Sequence, residues 1–160
     1  MIVLSTRPTE RADMRTKPRI LFVCLGNICR SPTAEAVLRK LAPQLEIDSA
    51  GVGDWHIGNP PYRPAIDAAA ARGYDLEPLR ARQISPRDYG KFDLILAMDS
   101  QNFFALGHMA PKNSRAEVRL FLDFALQDKR RDVPDPYYTR DFEGALDLIE
   151  MACKGLLKSL

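Results

Sequence analysis

Apolar residues fall along this chain in two kinds of run. One kind is short, nearly unbroken and rich in branched side chains: Ile20 to Leu25, Leu45 to Ser49, Phe92 to Met98 and Glu117 to Phe121. Such runs predict strands covered on both faces, because a strand with one wet face would alternate. The other kind repeats at helical spacing. Phe142, Ala145, Leu146, Ile149, Ala152, Cys153, Leu156 and Leu157 mark one face of a C-terminal helix that must dock on something apolar. Helical patterns also occupy Thr33 to Leu41, the alanine-rich Ala65 to Arg72, and a stretch beginning near Ser100. Strand and helix alternate from Arg19 onward, which predicts βαβ units. The expected fold class is α/β, a single three-layer domain whose four-stranded parallel sheet is flanked by helices.

Composition narrows this picture only a little. A chain of 160 residues is the size of one domain. No apolar run approaches the ~20 residues that span a bilayer, so no membrane association is expected. Residues 1–18 lack the basic start, apolar middle and small-residue cleavage site of a secretory signal. They predict a flexible N-terminal arm ahead of a domain over residues 19–160. The formal charge of +2 is carried by that arm, where Arg7, Arg11, Arg15 and Lys17 face Glu10 and Asp13, and the rest of the chain balances. A balanced domain argues against a nucleic-acid footprint. The basic run Lys129, Arg130 and Arg131 reads as a solvated loop. Three cysteines, an odd number, point to a reducing compartment, the cytoplasm, rather than to a disulfide framework. Cys153 lies on the apolar stripe of the last helix and is expected to pack there.

Chemistry enters at the end of the first strand, in Cys24-Leu-Gly-Asn-Ile-Cys-Arg-Ser-Pro32. Ligands of open α/β sheets bind where strands end and helices begin. Gly26 and Asn27 are the residue types that best accept left-handed backbone, so the chain can curl until successive N–H groups point inward. Ser31 suits an N-cap and Pro32 a first helical position, which would set a helix N-terminus under the same hollow. The result is a phosphate-binding loop following the first strand. Cys24 begins it and Arg30 ends it. Main-chain donors, a helix end and a guanidinium together favour a thiolate over a thiol. Arginine also binds two equatorial phosphate oxygens at once, which lysine does not.

Displacement at phosphorus is in line, so the leaving oxygen departs opposite the sulfur and needs a proton from outside the loop. Asp135 is the candidate donor, in a proline-bracketed loop before the last helix, with Pro136 holding it to extended backbone. It could give a proton to the leaving group and later take one from water. Tyr137 and Tyr138 would wall the entrance and suit an aryl group.

These residues resemble the low-molecular-weight protein tyrosine phosphatases. The likeness rests on C-L-G-N-I-C-R-S-P at 24–32 and D-P-Y-Y at 135–138, and runs from about Ile20 to the C-terminus. It implies hydrolysis of phosphotyrosine monoesters in proteins, and of small aryl phosphates, through a cysteinyl-phosphate intermediate. It implies no metal and no cofactor, phosphotyrosine-containing proteins as substrates, and a monomer or weak homodimer. Carried over position by position, Cys24 is the nucleophile, Arg30 the phosphate clamp and Asp135 the general acid. Leu25, Gly26, Asn27, Ile28, Cys29 and Arg30 supply amides to the phosphate. Ser31 bonds the thiolate, Asn27 holds the loop curled, and Ser49 and Asp99 support it. Ile28, Trp55, His56, Tyr137 and Tyr138 surround the substrate mouth, and Cys29 is the second loop cysteine that can bond to Cys24 under oxidation. One position departs: Leu79 stands where many members have a histidine before Arg80-Ala-Arg-Gln83.

Simpler readings stand beside several of these. Cys24 could be a buried core thiol. Cys24 and Cys29 could hold a metal, but no second pair has ligand spacing, and His56 and His108 are isolated. Asp99 could cap the next helix, Ser49 could satisfy local backbone, Trp55 could be partial core, and Asp135 could be a turn former. Among functions, an arsenate reductase would need relay cysteines, and residues 60 to 130 contain none. A phosphoarginine phosphatase would take a smaller polar residue in place of Ile28. A phosphate-reading module without turnover would have little use for Asp135.

Overall fold

The computed structural model describes residues 17–160; the arm expected over 1–18 lies, but for its last two residues, outside the described residues. The four expected strands form one parallel sheet in the order β2-β1-β3-β4. They are β1 (Arg19–Cys24), β2 (Glu46–Gly51), β3 (Leu94–Ala97) and β4 (Glu117–Leu120). Alternate residues of β1 serve two cores. Ile20, Phe22 and Cys24 face helices α1 (Arg30–Leu41) and α6 (Phe142–Ser159), while Leu21 and Val23 face Ile84, Tyr89, Phe92 and Leu106. This double burial is why β1 reads as an unbroken apolar run. Phe22 meets Phe121 edge to face, 5.1 Å between ring centres. A third cluster joins α2 (Arg63–Ala71) to the loop through Cys29, Ala65, Ile66, Ala69 and Leu76. Cys153 is fully buried, as its place on the stripe predicts.

Element ends differ from expectation where backbone chemistry intervenes. Leu25 leaves the first strand because the curl starts there, and Phe121 to Phe124 wind into a 3₁₀ turn instead of extending β4. Two short helices, α3 (Asp88–Lys91) and α5 (Pro136–Thr139), have too few residues to show a period; the expected helix at Ser100 is α4 (Ser100–Met109). Among the described residues no helix is long and apolar enough to cross a membrane.

The connections decide where a site can form. From β1 the chain passes through α1 to β2 on one side, then crosses back to β3 on the other side of β1. Helices leaving β1 and β3 therefore diverge, and a crevice opens beyond the carboxyl ends of these two strands. Cys24 ends β1; Asp99 follows β3.

Candidate active site

Between Cys24 and α1 the chain reverses on Asn27, whose φ of 59° is left-handed. Gly26, expected to share that conformation, does not adopt it. Its lack of a side chain matters for a different reason: a Cβ would meet the ring of His56 at 3.0 Å. Helix α1 starts at Arg30, so Ser31 is inside its first turn and makes no capping bond. The expected cap at Ser31 is thus corrected, and the hydroxyl is free to face the sulfur.

Around Cys24 the polar atoms form a chain whose direction at Asn27 is fixed from its far end. The main-chain N–H of Arg82 donates to Asn27 Oδ1 at 3.0 Å, so the Asn27 amide must turn its Nδ2 toward the serines. Nδ2 donates to Ser31 Oγ at 2.8 Å and to Ser49 Oγ at 3.0 Å. Ser49 passes its own proton to Glu35 Oε1, 2.7 Å away. Ser31 Oγ lies 3.0 Å from Cys24 Sγ and 3.4 Å from the Ala50 carbonyl, and the Asn27 main-chain N–H donates to the same sulfur at 3.2 Å. The sulfur is buried, with the Asn27 N–H and the Ser31 hydroxyl as its polar neighbours. Among the described residues the N–H groups of Leu25, Gly26, Ile28 and Cys29 have no protein acceptor, which leaves them for a bound oxyanion.

Arg30 lies across the loop and is only 3% exposed. Its Nη1 donates to Asp99 Oδ2 at 2.8 Å and to the Val133 carbonyl at 2.9 Å, and its Nη2 reaches Asp135 Oδ2 at 3.5 Å. Burial opposes the guanidinium charge, but Cys24, Asp99 and Asp135 outweigh it and raise the group's hold on its proton. Asp99 also caps α4, its second oxygen accepting from Asn102 N at 2.7 Å. Asp135 is extended, with φ −80° and ψ 109°, and caps α5 through Tyr137 N.

These groups open into one pocket of about 260 Å³, lined on the floor by Cys24, Gly26, Ile28 and Arg30 and on the walls by Trp55, His56, Asp135, Tyr137 and Tyr138. Trp55 is 66% exposed and no part of the core. Cys29 also borders the pocket; burial, with the negative charges of Cys24 and Asp135, pushes its thiol up to about 12. Among the described residues no three His, Cys, Asp or Glu side chains are grouped as a metal ion would need.

The sequence profile described as low molecular weight phosphotyrosine protein phosphatase matches residues 19–160. The chain belongs to that family. It is 44% identical over 147 residues to the low molecular weight protein-tyrosine-phosphatase YfkJ of Bacillus subtilis, which covers 88% of this chain and 94% of that relative. The low molecular weight phosphotyrosine protein phosphatase of Sus scrofa is 38% identical over 159 residues, 93% of this chain and 99% of the relative. The crystal structure of YfkJ superimposes with a TM-score of 0.84 at 43% identity, covering 89% of this chain and 94% of the other. That of Drosophila arginine phosphatase also gives 0.84, at 30% identity over 88% of this chain and 96% of the other. The protein is therefore a protein-tyrosine-phosphatase, a cysteine-based hydrolase whose substrates are phosphoproteins.

Several supports of this phosphatase loop escaped the sequence reading. Glu35 is a buried carboxyl one helical turn beyond Ser31; burial raises its pKa, partly offset by bonds from Ser49 and from Arg39. Arg82 contributes its N–H because its own side chain is pinned between Asp48 and Asp88. Gly51 lets the loop lie against β2, where a Cβ would stand 2.9 Å from the Leu25 carbonyl. A lone acid among the apolar residues of α1 was the available signal for Glu35. Leu79, in place of the histidine, packs against the third cluster, and the polar bonds to the loop come from Asn27, Ser31, Ser49 and Glu35.

Proposed function

We propose that Cys24 is the nucleophile of this phosphatase, Arg30 its phosphate clamp and Asp135 its general acid and base, acting on phosphotyrosine in proteins. The observation that carries the assignment is the sulfur itself, held by the Asn27 N–H and the Ser31 hydroxyl at the floor of a pocket that Asp135 overhangs. Phosphate oxygens bind the Arg30 guanidinium and the amides of Leu25, Gly26, Ile28, Cys29 and Arg30, whereas the Asn27 amide, expected among them, is spent on the sulfur. Asp99 and the Val133 carbonyl fix the plane of that guanidinium, so it costs little reorganisation when charge spreads over the phosphoryl group. Sulfur attacks phosphorus, the bond to the tyrosyl oxygen breaks, and Asp135 gives that oxygen a proton. Water then attacks the cysteinyl phosphate while Asp135 takes its proton back, releasing phosphate and the Cys24 thiolate. Trp55, Tyr137 and Tyr138 flank the aryl ring, and Ile28 gives the floor an apolar edge that favours phosphotyrosine over phosphoarginine.

We assign the catalytic domain to residues 19–160 and, on its three free cysteines, place it in the cytoplasm. Peroxide is expected to convert the Cys24 thiolate to a sulfenic acid, which condenses with the Cys29 thiol to give a disulfide and water. Peptide mapping after mild peroxide should find that bond; a Cys24 sulfinic acid alone would rule it out. The test of the main assignment is hydrolysis of paired phosphotyrosine and phosphoarginine peptides, with Cys24→Ser as control. Turnover by the Cys24→Ser protein, or faster release from phosphoarginine, would overturn it.

A further inference from the structure

Arg140 closes α5 in a conformation that its residue type does not favour. Its φ of 63° and ψ of 10° are left-handed, and its N–H returns to the Pro136 carbonyl at 2.9 Å to end the helix. Glycine usually fills such a place, because a side chain there crowds the backbone. A helix stop alone gives no reason for arginine, and strain held beside a catalytic pocket points to a use for the side chain. The guanidinium lies over two rings, 5.3 Å from the centre of Tyr62 and 5.4 Å from that of Phe142. Its Nη1 donates to the Tyr62 hydroxyl at 3.1 Å and to the Tyr137 carbonyl at 3.4 Å, while Nε and Nη2 donate to nothing among the described residues. Arg72, Arg82 and Arg130 each pair with a carboxylate, whereas Arg140 pairs with none among the described residues. The acids that follow it in the chain are committed: Asp141 caps α6 through Gly144 N, and Glu143 pairs with Arg72. This exposed cation stands at the mouth of the catalytic pocket. Tyr137 lines that pocket and packs its ring on Tyr62, 5.1 Å between centres. The charge of Arg140 reaches Cys29 on the pocket border, where it opposes the rise in that thiol's pKa.

We propose that Arg140 reads an acidic side chain one or two residues from phosphotyrosine in the substrate chain. The proposal rests on the phosphatase reading above. An extended peptide advances about 3.3 Å per residue, so a tyrosyl ring seated against Tyr137 brings its neighbours past the rim where Tyr62 carries the guanidinium. The free Nε and Nη2 form one edge of the arginine fork, which a carboxylate can accept with both oxygens. Tyr62 and Phe142 hold that fork in place before a ligand arrives, so little side-chain freedom is left to lose on binding. The other guanidinium of the pocket, on Arg30, is turned to Asp99, Val133 and Asp135 and serves the phosphate. Glutamate therefore matches Arg140 in charge and geometry, glutamine matches it in shape alone, and lysine meets like charge.

Phosphotyrosine peptides with a single Glu, Gln or Lys, placed one or two residues before or after the tyrosine, would be compared by kcat/KM. Beside them runs p-nitrophenyl phosphate, which has no flanking residue. At one of these sites Glu should exceed Gln by about 3- to 5-fold, the worth of an ordered, exposed ion pair, with Lys lowest. The difference should lie in KM rather than kcat, because the contact is the same before and during the reaction. It should shrink below about 2-fold in roughly 0.5 M salt. Arg140→Gln keeps the stem but not the charge. It should bring Glu and Gln within about 1.5-fold while leaving p-nitrophenyl phosphate turnover unchanged. Equal rates for Glu and Gln at every site, a Glu preference indifferent to salt, or one that survives Arg140→Gln would overturn the proposal. A uniform loss in Arg140→Gln on all peptides and on p-nitrophenyl phosphate would do the same, by making Arg140 a prop of the aromatic wall. Absence of p-nitrophenyl phosphate turnover in the unmodified protein would instead count against the catalytic assignment. The Glu-to-Gln ratio would then be read from binding of the peptides to both proteins by fluorescence anisotropy.

Discussion

At the scale of single residues, the site is a hydrogen-bond network centred on Asn27. Asn27 spends both amide protons on serines and takes one proton from Arg82, so replacing it disturbs three partners at once. Asn27→Ala should lower kcat more than KM, by ~10- to 100-fold, because the loop loses its curl rather than its charge. A rise in KM with unchanged kcat would contradict this. Asp135→Ala should cost ~10²- to 10⁴-fold in kcat on phosphotyrosine, and less on aryl phosphates whose leaving group is already acidic. Steady-state rates over a series of substituted phenyl phosphates measure that difference, and equal losses across the series would remove Asp135 from the proton transfer. The residues legible in the sequence were those with a fixed spacing in the chain. Cys24, Arg30 and Ser31 share one turn, and Asp135 is marked by Pro136. Glu35 and Arg82 act through folded geometry alone, one as a terminal acceptor and the other through its backbone, which no side-chain pattern reports.

Elements were legible in proportion to their length and burial. The doubly buried β1 and the eighteen-residue α6 gave long, one-sided signals, whereas α3 and α5, four residues each, are set by Asp88 and by the Asp135-Pro136 pair. Where elements touch, close approach was hidden as well. Gly155 on α6 lies against the 3₁₀ turn so closely that a Cβ there would overlap the carbonyl of Phe124. Gly107 on α4 has nothing within 4 Å of the same position. One substitution should therefore act with opposite signs. Gly155→Ala is expected to destabilise by about 1–3 kcal/mol through overpacking, and Gly107→Ala to stabilise by about 0.5–1 kcal/mol through chain entropy alone. Urea midpoints at constant slope compare the two. A neutral Gly155→Ala would mean that α6 does not hold this distance from the turn in solution.

For the molecule as a whole, weak acids are buried in their neutral form in more than one part of the core, Tyr89 under the sheet and Cys29 in the cluster between α2 and the loop. Burial and the charge of Cys24 push the Cys29 thiol from 9.0 up to about 12, and burial together with Asp88 pushes the Tyr89 hydroxyl from 10.0 up to about 12. The folded protein then keeps protons that the unfolded chain releases at lower pH. Stability falls wherever the unfolded state binds fewer protons. The contribution of each group is thus whole below its unfolded value and disappears as the pH climbs toward about 12. Cys29 starts this loss near pH 9 and Tyr89 near pH 10, each by up to about 1.4 kcal/mol per pH unit. Unfolding midpoints at pH 8.5, 10 and 11.5 should drop ever more steeply. Tyr89→Phe also removes the bond to the Leu106 carbonyl, 2.7 Å from the hydroxyl, so its midpoint at pH 8.5 should already be lower. The decisive quantity is the slope between pH 10 and 11.5, which should be shallower in Tyr89→Phe because one retained proton is gone. Parallel curves for the two proteins would show that the Tyr89 hydroxyl ionises as freely in the fold as in the open chain.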